Sequence, residues 1–168
     1  MSAVRISEFV PQDNVEEKKA LLPVFLNIWN TPDNLKYLSQ TLIPLATETV
    51  QTWFEEHRHQ GGRYFCALDE RNSIVGVMVV KENPVTGFEI YGLGVLPERK
   101  GEGIGRMLVK HAAIIANADG FTDIKALVFT DNKVMLCLLI SLGYTPISID
   151  HHIRSDGADA VWLQCSLV

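Results

Sequence analysis

The chain has 168 residues, 47% of them hydrophobic and 21% charged, with a formal net charge of −5. That length suits one domain spanning residues 1–168, burying roughly 68–70% of its unfolded surface, and the ordinary composition excludes disordered, collagen-like and coiled-coil classes. The acidic balance excludes nucleic acid as a main partner, because such binders carry a basic stripe and the basic residues here stand in small groups.

Val4 to Phe9 alternates enough for a first strand, and Pro11 to Asn14 supplies turn residues after it. Leu21, Leu22, Phe25, Ile28 and Trp29 recur at helical spacing, with Pro23 kinking that helix or sitting in its first turn, and Asn30-Thr31-Pro32-Asp33 closes it. A second helix carries Val50, Trp53, Phe54 and His57 as one stripe and stops at Gly61-Gly62. Strands follow at Tyr64 to Leu68, Ile74 to Val80 and Phe88 to Leu96, joined by turns short enough to make them antiparallel neighbours. Ile104, Met107, Leu108, Ala112 and Ile115 mark a helix buried along one side and ended by Asp119-Gly120. Ile124 to Phe129 reads as a buried strand running parallel to the one that ends at Leu96, through a right-handed crossover. A helix from Asn132 to about Leu142 stops at Gly143, and Thr145 to Ile153 and Ala160 to Val168 read as a final strand pair.

The longest apolar run, Val134 to Ile140, is far short of the roughly 18 residues a membrane span requires, so no membrane partner is expected. The first five residues lack the apolar stretch of a signal peptide, and Cys66, Cys137 and Cys165 are odd in number and widely spaced. Free thiols and a cytoplasmic location are the expectation.

The most informative segment is Val95 to Arg106, which joins a strand to a helix through Gly101, Gly103 and Gly105. Such glycines let the backbone turn tightly and bring bare N–H groups against a ligand, and the first helical turn adds unpaired amides that favour an anion. Arg99, Lys100 and Arg106 gather positive charge at the same place. A P-loop would require a Gly-Lys-Ser/Thr sequence, and the chain has no Gly-Lys pair; a dinucleotide fingerprint would require glycine where Arg106 stands.

These motifs resemble those of the GNAT superfamily of N-acetyltransferases. The Val95-Leu96-Pro97 strand end followed by Lys100-Gly101-Glu102-Gly103-Ile104-Gly105 is similar to the family's Q/R-x-x-G-x-G/A loop, with lysine in place of the usual Gln or Arg. Asn132, Leu138, Gly143 and Tyr144 fit a second family pattern, from which Met135 and Leu139 depart, and Ile74-Val75-Gly76 matches the usual start of the strand before the cofactor-binding one. The resemblance implies an α/β (α+β) GNAT fold: a mixed central sheet of about seven strands, flanked by about four helices, with acyl-CoA between splayed strands 4 and 5. It places a motif-bearing core at residues 64–144, acceptor-site helices at 10–62 and a C-terminal strand pair at 145–168.

The implied activity is transfer of an acetyl group from acetyl-CoA to a primary amine by direct attack. The implied cofactor residues are Leu93 and Val95 on the strand edge, Arg99, Lys100, Gly101, Gly103, Ile104, Gly105 and Arg106 around the diphosphate, and Asn132 on the pantetheine arm. Asn132 equally suits a helix N-cap, and the two roles are compatible. Glu89, the one carboxylate between Gly87 and Leu96, is the first choice for general base against a solvated or ion-paired strand residue, with Tyr91 as a water-relay group. Leu139 stands where relatives commonly hold the tyrosine that protonates the departing thiolate, so either water or Tyr144 substitutes, or the chain is a non-catalytic acyl-CoA-binding module. The acceptor, a small-molecule or protein amine, is left open, and pairing of two copies is implied by the resemblance alone. His57 and His59, like His151 and His152 on opposite faces of a strand, do not chelate a metal locally, and no metal is expected. Cys137 reads as a core residue, Trp53 and Phe54 as packing of the second helix, and Trp29 and Tyr37 as either packing or acceptor-site lining.

Overall fold

The computed structural model describes residues 3–168, which form one seven-stranded sheet in the order β1-β2-β3-β4-β5-β7-β6. The strands are β1 Arg5–Phe9, β2 Gly62–Leu68, β3 Ile74–Asn83, β4 Gly87–Val95, β5 Asp123–Phe129, β6 Thr145–Asp150 and β7 Ala160–Ser166. The helices are α1 Val15–Trp29, α2 Pro32–Leu38, α3 Thr47–His59, α4 Ile104–Ala118 and α5 Lys133–Ser141, with a 3-10 turn at Pro97–Arg99. No helix among the described residues is long and apolar enough to cross a membrane.

The central strands owe their place to runs that are apolar on both faces: β3 is buried from Ile74 through Val80. One face carries α4 and α5 over a core that includes Phe65, Met78, Phe88, Ile124 and Leu139. The other carries α1 and α3 over Phe25, Ile28, Trp29, Phe54 and Tyr64. Helix α1 lies tight against β4, since a Cβ on Gly94 would collide with Ile28 Cγ2 and one on Gly92 would stand 3.0 Å from Trp29 Cζ2.

Three local features differ from the sequence expectation. Asn14, whose side chain accepts from the amides of Glu16 and Glu17, starts α1 well before the apolar stripe, so Pro23 falls inside the helix. Pro23 is tolerated there because it and Lys19, whose carbonyl loses its donor, are on the exposed side. The segment Asn30-Thr31-Pro32-Asp33 does more than close α1: Pro32 occupies the first turn of α2, which raises the helix count from about four to five. The tail strands are also shorter, and His151 and His152 lie in the β6–β7 connection, both bonded to Asp159, rather than alternating along a strand.

The expected parallel pairing of β4 with β5 is present only at Phe88–Ile90 against Ile124–Ala126, although the strands run on to Val95 and Phe129. Beyond Ile90 they diverge. β4 also carries a bulge against β3, because Val79 pairs with Gly92 and Val80 with Ile90, leaving Tyr91 as the extra residue. Bulges bend a strand and re-aim its side chains, and this one sits where the splay opens.

Candidate active site

The splay opens into a cleft of about 950 Å³ between β4, β5, the Gly-rich loop, α2 and α3. The candidate base, relay and cofactor residues read from the sequence all line it: Glu89, Tyr91, Leu93 and Val95 from β4, Arg99 to Arg106 from the loop except Glu102, and Asn132 before α5. Asp33 and Tyr37 of α2 and Trp53 and His57 of α3 complete the opposite end.

At the loop end, Gly103 is the N-cap of α4 with φ +81° and offers no side-chain cap, and Gly101 has φ +85°. A Cβ built at either position meets nothing within 4 Å, so both glycines face open space. The amides from Gly101 through Arg106 donate to no acceptor among the described residues, the first bond of the turn being Met107 N–H to the Gly103 carbonyl. Unpaired amides at a helix N-terminus, left-handed glycines and an open front make a cradle with the polarity a diphosphate needs. The residues present therefore fit acetyl-CoA at this end.

The charges around the cradle are arranged differently from the expectation. Arg99 is held by Glu102 through bonds of 2.8 Å from both Nε and Nη2, and it approaches Asp69 at 3.5 Å. Its guanidinium is thus engaged with two carboxylates while the residue still lines the cleft. Lys100 has no partner among the described residues, and Arg106 donates to Ser141 Oγ at 2.7 Å. These two are the cations free to meet an anion.

Asn132 combines the two roles weighed for it. Its Oδ1 caps α5 by accepting from Met135 N–H at 3.2 Å, while its amide NH₂ has no partner among the described residues and the side chain lines the cleft. The residues α5 shows to the cleft are Val134, Met135 and Leu138. Leu139 faces the core and is 0% exposed, so this position presents nothing to the cleft. Tyr144 is likewise buried in the core with its hydroxyl unpartnered, which removes it as a proton donor. Cys137, expected in the core, is exposed on the outer side of α5, since the helix turns Leu139 inward in its place.

The opposite end holds Glu89. Burial pushes its carboxyl up from the usual range, with Lys81 and Lys125 opposing that shift. Lys81 is its cross-strand neighbour, yet no ion pair forms between them; the lysine lies 3.6 Å from the Tyr91 ring centre and donates to Gln60 Oε1 at 3.1 Å. Glu89 has no hydrogen-bond or ion-pair partner among the described residues, an arrangement suited to a base and not to a structural pair. Tyr91 beside it is half exposed.

His57, on the apolar stripe of α3, is buried, with Nδ1 2.6 Å from the Tyr64 hydroxyl, its ring stacked on Trp53 and edge-on to Tyr91. Burial, with Lys81 nearby, lowers its pKa to about 4, so it is neutral near pH 7. Because the unfolded chain takes up the proton near 6.5, stability is fully present above that pH and falls as pH drops toward 4, by on the order of 2–3 kcal/mol. Urea unfolding at pH 7 and pH 4.5 is expected to show that loss in the native protein and a smaller one in His57→Phe; equal losses would contradict the assignment. No group of three or more His, Cys, Asp or Glu able to hold a metal exists among the described residues.

Similarity to known proteins agrees with this geometry. The mycothiol acetyltransferase of Jonesia denitrificans is 30% identical over 112 residues, covering 66% of this chain and 34% of that protein, so the chain spans about a third of that relative's length. An N-acetyltransferase from Staphylococcus aureus Mu50 superposes with a TM-score of 0.77 at 18% identity, over 99% of this chain and 100% of that one. YncA of Salmonella typhimurium, described with its cofactor acetyl-CoA, superposes at 0.74 with 16% identity, over 100% and 95%. At those identities the superpositions show a shared fold. The sequence profile of the Acetyltransferase (GNAT) family matches residues 26–144, and with the splayed strands and the amide cradle in their places the chain belongs to that family.

Proposed function

We propose that residues 1–168 work as one domain that transfers an acetyl group from acetyl-CoA to a primary amine. The observation that carries the reading is a single cleft with an amide cradle and free cations at one end and an unpaired, half-buried carboxylate at the other. Acetyl-CoA supplies the thioester carbonyl that the amine nitrogen attacks, a C–N bond forming as the C–S bond breaks.

In this reading Gly101, Gly103, Ile104, Gly105, Arg106 and Lys100 hold the diphosphate, Leu93 and Val95 offer the strand edge to the arm, and Asn132 donates to it. An alkylamine of pKa roughly 10.4 costs about 4–5 kcal/mol to present unprotonated at neutral pH, which is the work assigned to Glu89. Glu89 takes the ammonium proton directly or through water held at Tyr91, while neutral His57 adds no positive charge to repel that ammonium. The thiol of coenzyme A, of pKa roughly 8.5, departs as the thiolate, so the apolar face of α5 does not stop turnover. The cysteines form no disulfide, in keeping with a reducing compartment, and a cytoplasmic location belongs to the proposal.

That apolar face also favours a second reading, a module that binds acyl-CoA without catalysis. Isothermal titration with acetyl-CoA followed by thiol release on a panel of primary amines separates them. The proposal expects binding near micromolar, about −8 kcal/mol, and release with at least one amine. Binding without release on any amine would favour the module, and no binding would contradict both.

A further inference from the structure

We infer that the acceptor is a small primary amine with an aromatic or branched apolar body and no carboxylate, held in a chamber closed by α2, which braces the two splayed strands. The inference rests on the acetyltransferase reading and names the acceptor class of that same site.

The first observation is the brace. Asn34, 8% exposed, donates to the carbonyls of Ile28 at 2.7 Å and Val95 at 3.2 Å, tying α2 to the β4 side of the splay. The same short helix is tied to the β5 side, where Lys36 meets Asp131 at 3.2 Å and the Tyr37 hydroxyl donates to the Asp131 carbonyl at 3.4 Å. Behind it Arg154, 3% exposed, reaches the Lys36 carbonyl at 2.9 Å, grips Asp131 and Asp156 with two bonds each, and lies over the Phe129 ring. The chain after α2 is stitched to the β6–β7 connection, Ser155 N–H donating to the Gln40 carbonyl at 2.7 Å and Ser155 Oγ to the Thr41 carbonyl at 3.1 Å. A polypeptide acceptor needs a groove that continues past its reacting amine; on the α2 side of the cleft the brace and its stitches would stand across such a groove.

The second observation is the chemistry of the walls. Trp29, Tyr37, Trp53 and Tyr91 line this half of the cleft, and its carboxylates are Asp33 and Glu89. The cations that line the cleft, Arg99, Lys100 and Arg106, all belong to the loop at the other end, and Lys81 is engaged over Tyr91 and is not part of the lining. An ammonium here gains a carboxylate and aromatic faces. A carboxylate on the acceptor would meet two like charges and no cation in the lining, the nearby Lys81 being already engaged over Tyr91 and with Gln60, and a poorly paired buried charge is costly. Amino acids are therefore disfavoured together with peptides, while an arylalkylamine satisfies every wall.

The test uses the full chain at fixed, saturating acetyl-CoA with tryptamine, tryptophan and a short peptide amide that begins with tryptophan, read by thiol release alongside acetyl-CoA titration. The expected result is a kcat/KM for tryptamine about 100-fold above that of tryptophan, the scale set by leaving one charged group unpaired, and likewise about 100-fold above that of the peptide, whose chain the brace obstructs. Loosening the brace with Arg154→Lys should raise the peptide-to-tryptamine ratio about tenfold with acetyl-CoA affinity held within about twofold; if that variant fails to fold, Ser155→Ala, which removes one surface bond, serves in its place. Tryptophan or peptide equalling tryptamine, no turnover of tryptamine, or an unchanged ratio in the folded brace variant would overturn the inference. Acetyl-CoA binding separates the two levels: intact binding with turnover of peptides sinks the acceptor class alone, whereas lost binding sinks the acetyltransferase reading beneath it.

Discussion

Replacing Glu89 with glutamine is expected to lower kcat for an alkylamine by about 10²–10⁴-fold, the usual worth of a positioned general base, with acetyl-CoA affinity unchanged. The size follows from the position of the residue. Its carboxyl lines the cleft, is half buried and has no partner to occupy it, so glutamine keeps the shape and the packing and removes only proton acceptance. The pH dependence carries the sign. Burial raises the pKa of Glu89 above the ordinary 4.5, so the base is lost as pH falls through that raised value, and the acid limb of native kcat/KM lies at higher pH than for a solvated carboxylate. The variant should lack that limb. Amines near pKa 7.7–8.0 need less help than those near roughly 10.4, so the loss should be larger for the latter. Equal loss on both, or a retained limb, would assign the proton to another group.

The second large effect is expected at the cradle. Gly103→Val should weaken acetyl-CoA binding by more than about 100-fold, or about 2.7 kcal/mol, because the new side chain enters the space the diphosphate needs. The same change also imposes a left-handed residue costing about 1–2 kcal/mol, which by itself would lower stability. Gly120 separates the two causes. Its φ is +85° against +81° at Gly103, both have nothing within 4 Å of an added Cβ, and it lies just past the far end of α4. Gly120→Val should show a comparable fall in melting temperature and unchanged binding. Equal binding loss in both would mean that strain, and not occupancy of the cradle, is responsible.

The half of the molecule that binds the co-substrate was legible in the sequence because its signals are local. Glycines at fixed offsets, a strand run before them and an apolar stripe after them each act over a few residues, and the structure gathers all the residues named from them into one cleft. Where side chains pair at a distance the sequence was silent. Arg99 lines the cleft as named, but its pairing with Asp69, thirty residues earlier, and with Glu102 left no signal. Leu139 could be aligned by pattern, but whether it faces cleft or core depends on how α5 rolls on the sheet. The acceptor half was least legible: α2 is a single short helix whose start, Thr31-Pro32-Asp33, also reads as a stop, and its fastening bonds from Asn34 to Val95 and from Arg154 to Lys36 span 61 and 118 positions. The Pro32 signal was present, since proline favours the first turn of a helix. The buried arginine left no local trace.

The central claim, that the turn after Pro97 is a diphosphate cradle, is tested most directly by titrating the protein in parallel with acetyl-CoA and with S-acetylpantetheine, which carries the thioester and the arm but no diphosphate. The account predicts that acetyl-CoA binds at least about 100-fold more tightly, with a salt dependence that S-acetylpantetheine lacks. Equal affinity of the folded protein for the two compounds, or no affinity for either, would contradict it.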